Sequence, residues 1–385
     1  MAKFFADRLT SLGGNVFATI DRVKQEVIAQ GKPLIDLSLG SSDLATDPLI
    51  LRSIAAALED RRTHGYVLFG QTQSFRETVA QWFTRRFGIP LDPETEVLPL
   101  IGSQEGTAHL PLALLNPGDY GLVQDPGYPS HYGGIYLAGG VPWGMPLREG
   151  YPDFAEIPSA VLNRSRLMIL SYPHNPTTAV ANLAFFQEAV GFCQRHNLWL
   201  IHDFPYNDLV FDGYVAPSML AADRDKSITI EFFTLSKSYN MGGFRVGFAV
   251  GNRELIHALK QIKAVVDFNQ YQGILQGAIA ALNSDGTIVK RSVLEYQNRR
   301  DFMTAALQTI GWQVPKPQAT MYLWAPIPHA NSMEFCQQLI YTKGVALSPG
   351  SGFGKRGEGF VRFALVHPIE VLQTVIDRLD DQDFR

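Results

Sequence analysis

Polar and charged side chains directly follow several apolar stretches of this sequence. They are Ser103, Gln104, Glu105 and Gly106, then Tyr128, Asn175, Asp203 with Tyr206, and Lys237 with Arg245. The apolar stretches predict buried β-strands, and in open α/β sheets ligands bind beyond the carboxyl ends of the strands. The sequence therefore predicts one ligand site that is assembled from these strand ends.

Lys237 has the surroundings of a reactive amine. It lies in TLSKSYNMGGFRVG, directly after the apolar run ITIEFFTL. Burial disfavours the charged form of a lysine, so its amine becomes a nucleophile towards a carbonyl group. Thr234 and Ser236 offer hydroxyls, and the fork of Arg245 suits a phosphate. Taken alone, a surface lysine beside a salt-bridging arginine is an equally good interpretation.

The other candidates also have local interpretations. Asp203 ends the run LWLIHD, where an aspartate often caps a following helix. Asn175 precedes a proline, and Asn-Pro is typical of turns. The segment GSQEG at 102–106 would serve as a plain helix start, although its backbone amides also suit an anion.

The elements that position these residues alternate between strands and helices. Strands are predicted at YGLVQDP, SRLMILSYP, LWLIHDF, ITIEFFTLS and FRVGFAVG, and helices near 74–87, 105–115, 182–196 and 252–266. The helix near 74–87 ends at a glycine stop signal. This alternation predicts a large α/β domain at 46–282, with a mostly parallel sheet covered by helices on both faces.

The pattern changes after residue 282. A long charged helix, VKRSVLEYQNRRDFMTAALQTIG, precedes short strands at MYLWAPIP, GVALSPG and GFVRFALV and a final helix at PIEVLQTVIDRL. This predicts a smaller α+β domain at 283–385. We expect the segment 1–45 to pack beside it, because a short N-terminal segment needs a partner for its apolar face.

The composition excludes several classes of protein. Hydrophobic residues make up 46% of the 385 residues, and the net charge of −4 gives no basic face for nucleic acid or an anionic membrane. The only cysteines, Cys193 and Cys336, lie far apart in the sequence, so neither a disulfide framework nor a metal site is predicted. No apolar run is long enough to span a bilayer, and the first residues lack a signal-peptide core. A cytoplasmic protein is the default expectation.

The motifs taken together resemble the class I/II aminotransferases, which are pyridoxal 5'-phosphate enzymes of fold type I. They occur in the order of that family: DLSLGSSDLATDP, HGYVLFGQTQSFRETVAQW, GSQEGTAHL, VQDPGYPSH, SYPHNPTTAV, HDFPYNDLVFDGY, TLSKSYNMGGFRVGFAVGN and GEGFVRFAL. The resemblance implies a three-layer αβα large domain with a smaller α+β domain. It also implies transfer of an amino group between an amino acid and a 2-oxo acid by a ping-pong mechanism.

The resemblance assigns the cofactor contacts residue by residue. Lys237 would hold the cofactor as a Schiff base and later carry the substrate's α-proton. Asp203 would pair with the pyridine nitrogen and keep it protonated. Tyr206 and Asn175 would hydrogen-bond the phenolic oxygen, and Tyr128 would stack on the ring.

The resemblance also implies how the phosphate and the substrate are held. Arg362 would clamp the α-carboxylate with two parallel hydrogen bonds, helped by Asn175, and Gly40 would let the backbone approach the substrate. The phosphate would be held by Ser103, Gln104, Thr234, Ser236 and Arg245, together with Tyr66 from the neighbouring subunit. The resemblance therefore predicts a homodimer with shared active sites.

The sequence departs from the common family pattern at SLGGNVF, at SSD and at NPTTA, where relatives have a Pro-Pro-Tyr stretch, an acid-Pro-Asp and NPTG. By analogy the first two lie near the substrate pocket. The sequence motifs resemble those of the LL-diaminopimelate aminotransferase branch most, and aspartate and alanine aminotransferases have similar motifs. A pyridoxal-phosphate lyase or decarboxylase on the same scaffold stays an alternative. A non-enzymatic sensing module is disfavoured, because no basic helix-turn-helix precedes residue 30.

Overall fold

The computed structural model describes residues 5–6, 8–12 and 16–380. The glycines and asparagine at 13–15 of SLGGNVF and the outermost ends of the two terminal segments lie outside the described residues. The α-helices are α1 (Arg8–Leu12), α2 (Val16–Ala29), α3 (Pro48–Glu59), α4 (Gln73–Phe87), α5 (Ser103–Leu114), α6 (Pro129–Leu137), α7 (Ser159–Leu162), α8 (Leu183–Arg195), α9 (Leu235–Ser238), α10 (Arg253–Val266), α11 (Gln272–Leu282), α12 (Thr287–Thr309), α13 (Ser332–Lys343) and α14 (Ile369–Leu379). The strands are β1 (Ile35–Asp36), β2 (Val97–Leu100), β3 (Tyr120–Asp125), β4 (Val141–Arg148), β5 (Tyr151–Pro152), β6 (Ser165–Ser171), β7 (Trp199–Asp203), β8 (Thr229–Thr234), β9 (Gly247–Gly251), β10 (Tyr322–Pro326), β11 (Val345–Ala346), β12 (Ser348–Pro349) and β13 (Phe360–Ala364).

A large mixed sheet forms the centre of the fold, with the strand order β2-β9-β8-β7-β6-β3-β4-β5. Its middle strands β4, β3, β6, β7 and β8 pair in parallel. Strand β9 pairs antiparallel with both β8 and β2, and β5 pairs antiparallel with β4. The sheet is therefore mostly parallel, as the alternation of strands and helices predicted, and its parallel strands present their carboxyl ends at one edge.

Helices cover both faces of this sheet. Phe232 faces the layer formed by α5, α6 and α10, whereas its neighbour Phe233 packs with residues of α4 and α11 on the opposite face. Adjacent side chains of a strand point to opposite faces, so an almost continuous apolar run is what a strand buried on both sides requires. The α/β architecture in three layers, expected from the resemblance, is confirmed.

The C-terminal part builds a separate three-stranded antiparallel sheet of order β10-β13-β12. The N-terminal segment joins this part, because β1 pairs in parallel with β11 and the buried side chains Ile20, Val23 and Val27 of α2 share a core with Phe335 and Leu339 of α13. The boundaries at 45 and 282 stay predictions.

Local sequence signals explain where several helices begin and end. Helix α4 ends at Gly88, whose φ of +70° is the left-handed conformation that glycine adopts at low cost. Helix α10 begins after Asn252, whose side chain accepts hydrogen bonds from the amides of Glu254 and Leu255. Among the described residues, no helix combines the length and apolarity needed to cross a lipid bilayer.

Candidate active site

A cavity of about 350 Å³ opens at the carboxyl ends of the parallel strands. All residues predicted for the site line it except Tyr66: Gly40, Ser103, Gln104, Tyr128, Asn175, Asp203, Tyr206, Thr234, Ser236, Lys237, Arg245 and Arg362. Several of these residues are far apart in the sequence and belong to different structural layers. The fold therefore brings together the strand-end residues that the sequence singled out.

Lys237 lies on the short helix α9, directly after β8. Its amine donates a hydrogen bond to the carbonyl of Gly40 at 2.5 Å. Desolvation inside the cavity lowers the pKa of Lys237, and the positive charges of Arg362 and Arg245 act in the same direction. A lysine in this environment reaches its neutral, nucleophilic form more readily than a lysine in water.

Asp203 ends β7 and is 4% exposed. Its Oδ2 is 3.0 Å from Nε2 of His131, whereas its Oδ1 is buried without a hydrogen-bond partner among the described residues. A buried carboxylate oxygen needs a donor, and a protonated pyridine nitrogen is such a donor. This unpartnered oxygen fits the cofactor that the family resemblance implies.

His131 was not among the predicted site residues, although it lies in the quoted motif VQDPGYPSH. It belongs to the first turn of α6 and is 1% exposed. The strand pattern did not predict His131, because this residue lies within a helix and not at the end of a strand. By bonding Asp203 it fixes the direction of the unpartnered oxygen.

Groups suited to an anion converge on the start of α5. Gly102 has a φ of +77°, and a Cβ added there would lie 2.5 Å from Nη2 of Arg245, so the guanidinium packs directly on the backbone before the helix. The hydroxyls of Thr234 and Ser236 are 2.8 Å apart and face the same cavity. A helix N-terminus, two hydroxyls and a guanidinium form a donor set that fits a phosphate.

A buried ion pair supports this helix start. The amine of Lys263 bonds both carboxylate oxygens of Glu105 at 2.8 and 3.0 Å, and Asp267 at 3.1 Å. Glu105 in turn accepts the amide hydrogen of Ile101 at 2.5 Å. Glu105, His109 and Asp267 are close enough together to resemble a metal-binding group, but the amine of Lys263 already occupies the space between the two carboxylates and bonds both.

Two tyrosines flank the space between Lys237 and Asp203. Tyr128 directly precedes α6. Burial raises its pKa to about 12, so its phenol stays neutral and its ring offers an aromatic surface. The Tyr206 hydroxyl is buried and lies 2.8 Å from the hydroxyl of Tyr322. Tyr322 also lines the cavity and was not predicted from the sequence, because TMYLW reads as an ordinary buried strand.

Arg362 reaches the cavity from β13 of the C-terminal sheet. Its guanidinium donates to Oδ1 of Asn175 at 2.7 Å, to the carbonyl of Ser38 at 2.9 Å and to the Ser348 hydroxyl at 3.3 Å. It lies 4.1 Å from the ring centre of Tyr322 and 4.7 Å from that of Phe353, while its Nε has no partner among the described residues. A fixed, planar cation with a free donor suits a carboxylate.

Gly40 occupies a position that admits no side chain. A Cβ built there would lie 1.9 Å from the hydroxyl of Tyr322. The absence of a side chain lets the backbone carbonyl of Gly40 meet the amine of Lys237 while Tyr322 packs above it.

Tyr66 is the one predicted site residue that lies away from the cavity of its own chain. It is 89% exposed. Leu68, Val265, Val266 and Phe268 are also exposed apolar residues. The position of Tyr66 is compatible with a role in another subunit's site and gives it none in its own.

A wider cavity of about 1340 Å³ adjoins the first and shares Leu39, Gln104, Tyr128 and Arg362 with it. We call it the outer chamber. Its walls come from α2, from α6 and from the segment 351–358, and they include the SLGGNVF residues Ser11, Leu12, Val16 and Phe17. Ser41 and Ser42 of the SSD motif line the inner cavity instead. Both departures from the family pattern thus border space open to a substrate.

Known proteins share this chain's sequence over its length. The family model described as aminotransferase class I and II matches residues 32–379. LL-diaminopimelate aminotransferase 2 of Trichormus variabilis is 42% identical and aligned over 99% of both chains. LL-diaminopimelate aminotransferase of Gloeobacter violaceus is 40% identical, covering 99% of this chain and 98% of the relative.

Solved structures share its fold. A probable N-succinyldiaminopimelate aminotransferase from Thermus thermophilus superimposes with a TM-score of 0.91 at 44% identity, covering 95% of this chain and 99% of that one. The substrate-bound BacF structure from Bacillus subtilis superimposes with a TM-score of 0.94 at 34% identity, covering 98% of each chain.

Proposed function

The chain belongs to the class I and II aminotransferases and is a pyridoxal-phosphate-dependent transaminase, and we propose that the cavity around Lys237 is its active site. The observation that carries this proposal is the unpartnered Oδ1 of Asp203, which lies in the same cavity as Lys237 and Arg362. When bound, the cofactor supplies an electron-withdrawing ring that stabilises negative charge at the substrate's α-carbon.

The phosphate end of the cofactor lies, in this proposal, at the start of α5. The phosphate is held by Arg245 and by the hydroxyls of Ser103, Thr234 and Ser236. The amide side chain of Gln104 lies beside the same site. Asp203 holds the ring nitrogen in its protonated state, with His131 orienting the carboxylate. Tyr206 and Asn175 bond the phenolic oxygen, and Tyr128 covers the ring face.

Lys237 serves both as the covalent attachment point and as the base that moves the substrate's α-proton. Its lowered pKa favours the neutral amine that both tasks need. Arg362 and Asn175 orient the substrate through its α-carboxylate, and this contact places the α-carbon beside the lysine. Because Arg362 reaches the site from the C-terminal sheet, substrate binding joins the two parts of the protein.

We propose that the amino donor is long and carries a polar, doubly charged distal end, as LL-diaminopimelate does. The curated relatives carry that name, and the outer chamber gives such a donor room. The chamber wall offers charges of both signs, Lys355 and Glu358, for a distal carboxylate and ammonium. Aspartate and alanine would leave this chamber empty.

We further propose a homodimer in which Tyr66 contacts the cofactor phosphate of the partner subunit. The exposed apolar side chains of Tyr66, Leu68, Val265 and Phe268 support an interface in this region.

We also propose that the protein works in the cytoplasm. The two cysteines are buried and unpaired, which fits a compartment where thiols stay reduced.

A panel of amino acids mixed with the holoenzyme tests the reaction and the donor. Each donor that reacts should discharge the cofactor's absorbance and release its 2-oxo acid, and a 2-oxo acid should restore the absorbance. We expect kcat/KM for LL-diaminopimelate to exceed those for alanine and aspartate by at least roughly tenfold. Release of carbon dioxide, or of free ammonia in turnover that needs no 2-oxo acid acceptor, would identify a decarboxylase or a lyase instead.

A pair of lysine variants tests the distal contact. Lys355→Met should raise KM for LL-diaminopimelate about two- to fivefold, the range for one exposed ion pair, and leave the alanine reaction unchanged. Lys290→Met removes an exposed lysine that lines neither cavity and is the matched control. Equal effects on long and short donors would contradict the distal role.

A further inference from the structure

Tyr322 lies where the cofactor side and the substrate side of the cavity meet. Its hydroxyl is 2.8 Å from the hydroxyl of Tyr206, and its ring lies 4.1 Å from the guanidinium of Arg362. The side chain is 2% exposed and stands on β10, which pairs with the strand that carries Arg362. Tyr322 therefore contacts both Tyr206 and Arg362 through its side chain.

The direction of the hydrogen bond between the two tyrosines depends on which other group Tyr206 bonds. Each hydroxyl has one hydrogen to donate and can accept from a second group. In the structure the Tyr206 hydroxyl donates to the Tyr322 hydroxyl. If Tyr206 instead donates its one hydrogen to the phenolic oxygen of the cofactor, it can no longer donate to Tyr322. The hydroxyl of Tyr322 must then donate to Tyr206, which makes Tyr206 a stronger donor, because hydrogen bonds in a chain polarise one another.

The charge of Arg362 acts on this chain. Burial works against ionisation of Tyr322, but the positive charges of Arg362 and Lys237, together with the hydrogen bond from Tyr206, lower its pKa. The guanidinium 4.1 Å from the ring centre makes the Tyr322 hydroxyl a stronger hydrogen-bond donor, because a positive charge favours the partial negative charge on the phenol oxygen. A carboxylate bound to Arg362 offsets the positive charge, so the hydroxyl of Tyr322 should become a weaker donor when a substrate arrives.

We propose that Tyr322 is a positioning residue that transmits occupation of the Arg362 carboxylate clamp to the Tyr206 hydroxyl facing the cofactor. The inference rests on the proposed function, because it needs the cofactor's phenolic oxygen beside Tyr206 and a carboxylate on Arg362. The ring of Tyr322 holds the Arg362 guanidinium in place, and the hydroxyl of Tyr322 sets the strength of the hydrogen bond that Tyr206 donates. These two roles belong to different atoms and are separable by substitution.

Tyr322→Phe removes the hydroxyl and keeps the ring against Arg362. With a weaker donor at Tyr206, the anionic phenolic oxygen is less stabilised, so the bound cofactor should keep its proton to higher pH. We expect the pH midpoint of the visible cofactor absorbance to rise by roughly 0.5–1 unit, the size of one neutral hydrogen bond. KM for amino acids should stay within about twofold, because the ring and the clamp remain.

Propionate, a carboxylate without an amino group, tests the transmission itself. In the unaltered holoenzyme, propionate should raise the pH midpoint of the cofactor absorbance by occupying Arg362. In Tyr322→Phe the rise of this midpoint should be smaller. Tyr214→Phe, which removes a hydroxyl bonded to the carbonyl of Ala181 outside the cavity, is the control and should titrate like the unaltered protein. Tyr322→Leu, which also removes the ring, should in addition raise KM for amino acids.

An unchanged or lowered midpoint in Tyr322→Phe, or an undiminished response to propionate, would overturn the inference. Folding is checked by cofactor content and melting temperature, and the phenylalanine variant decides the question even if Tyr322→Leu does not fold. Failure of the proposed function gives a different result, because the unaltered protein would then show no cofactor absorbance that titrates at all.

Discussion

Arg362 and Asn175 are 187 positions apart in the sequence, yet Nη1 of Arg362 donates to Oδ1 of Asn175 at 2.7 Å. The arginine stands on a strand of the C-terminal sheet, and the asparagine follows β6 of the large sheet. The bond closes the cavity from two sides and aligns the guanidinium beside Lys237. A substrate carboxylate added to this pair would be held by both parts of the protein.

Arg362→Lys should impair substrate binding without affecting cofactor binding. The lysine keeps the charge but loses the planar fork, so kcat/KM for amino acids should fall by roughly 2–4 kcal/mol of transition-state binding. Cofactor content and its absorbance should stay normal. Simple amines without a carboxylate are the internal control. Equal losses for amines and amino acids, or loss of cofactor, would make Arg362 a structural residue.

Asp203→Asn should leave the fold intact and weaken the cofactor's chemistry. A neutral amide holds a protonated ring nitrogen less strongly than a carboxylate does, and kcat should fall roughly 10–100-fold, the effect of one charged hydrogen bond. The cofactor spectrum should change as well. Full activity with an unchanged spectrum would show that Asp203 is only the end of its strand and the partner of His131.

Thr178→Gly should stabilise the protein. Thr178 has a φ of +63° and stands where the common family pattern NPTG has its glycine. A left-handed conformation costs a non-glycine residue about 1–2 kcal/mol, and glycine's greater freedom in the unfolded chain offsets part of the gain. We expect the free energy of unfolding to rise by about 0.5–1 kcal/mol in chemical denaturation, with little gain from the control Thr178→Ala. A destabilised glycine variant would contradict this explanation.

Mixing two inactive variants tests whether the sites are shared. In a dimer of a Tyr66→Ala chain with a Lys237→Ala chain, one site combines an intact Lys237 with the intact Tyr66 of the other chain. Dissociation and reassociation of the mixture should therefore restore activity, whereas each variant alone stays inactive. Heterodimers that form, as shown by two affinity tags, but remain inactive would exclude the role of Tyr66 across the interface.

Strands β3, β6, β7, β8 and β9 of the large sheet were predictable because they are short, buried on both faces and followed by turn residues. Strands β2, β4 and β5 were not predicted, and β4 is only partly buried. SRLMILS and TIEFFT allow few other interpretations. The helices at 48–59 and 272–282 were not predicted. The α11 sequence QGILQGAIAAL is apolar on nearly every side because it packs against α3 and α4, so it shows no clear amphipathic spacing.

The pattern of polar residues after apolar strands predicted the cavity-lining residues that directly end or follow strands of the large sheet, such as Asp203 and Lys237. It did not select His131, which lies within helix α6, or Tyr322, which lies inside a strand of the C-terminal sheet. Tyr322 faces the cavity only because β10 approaches Tyr206 from another part of the fold. A sequence pattern carries no information on such an approach between distant elements.

The lysine that carries the covalently bound cofactor is the decisive observation for the role of Lys237. Reduction of the holoenzyme with borohydride makes the bond between the cofactor and its lysine permanent, and peptide mass spectrometry then identifies the modified residue. We expect the cofactor on Lys237, with no adduct and almost no turnover in Lys237→Ala. A cofactor attached to another lysine, or turnover near that of the unaltered enzyme in Lys237→Ala, would contradict this role.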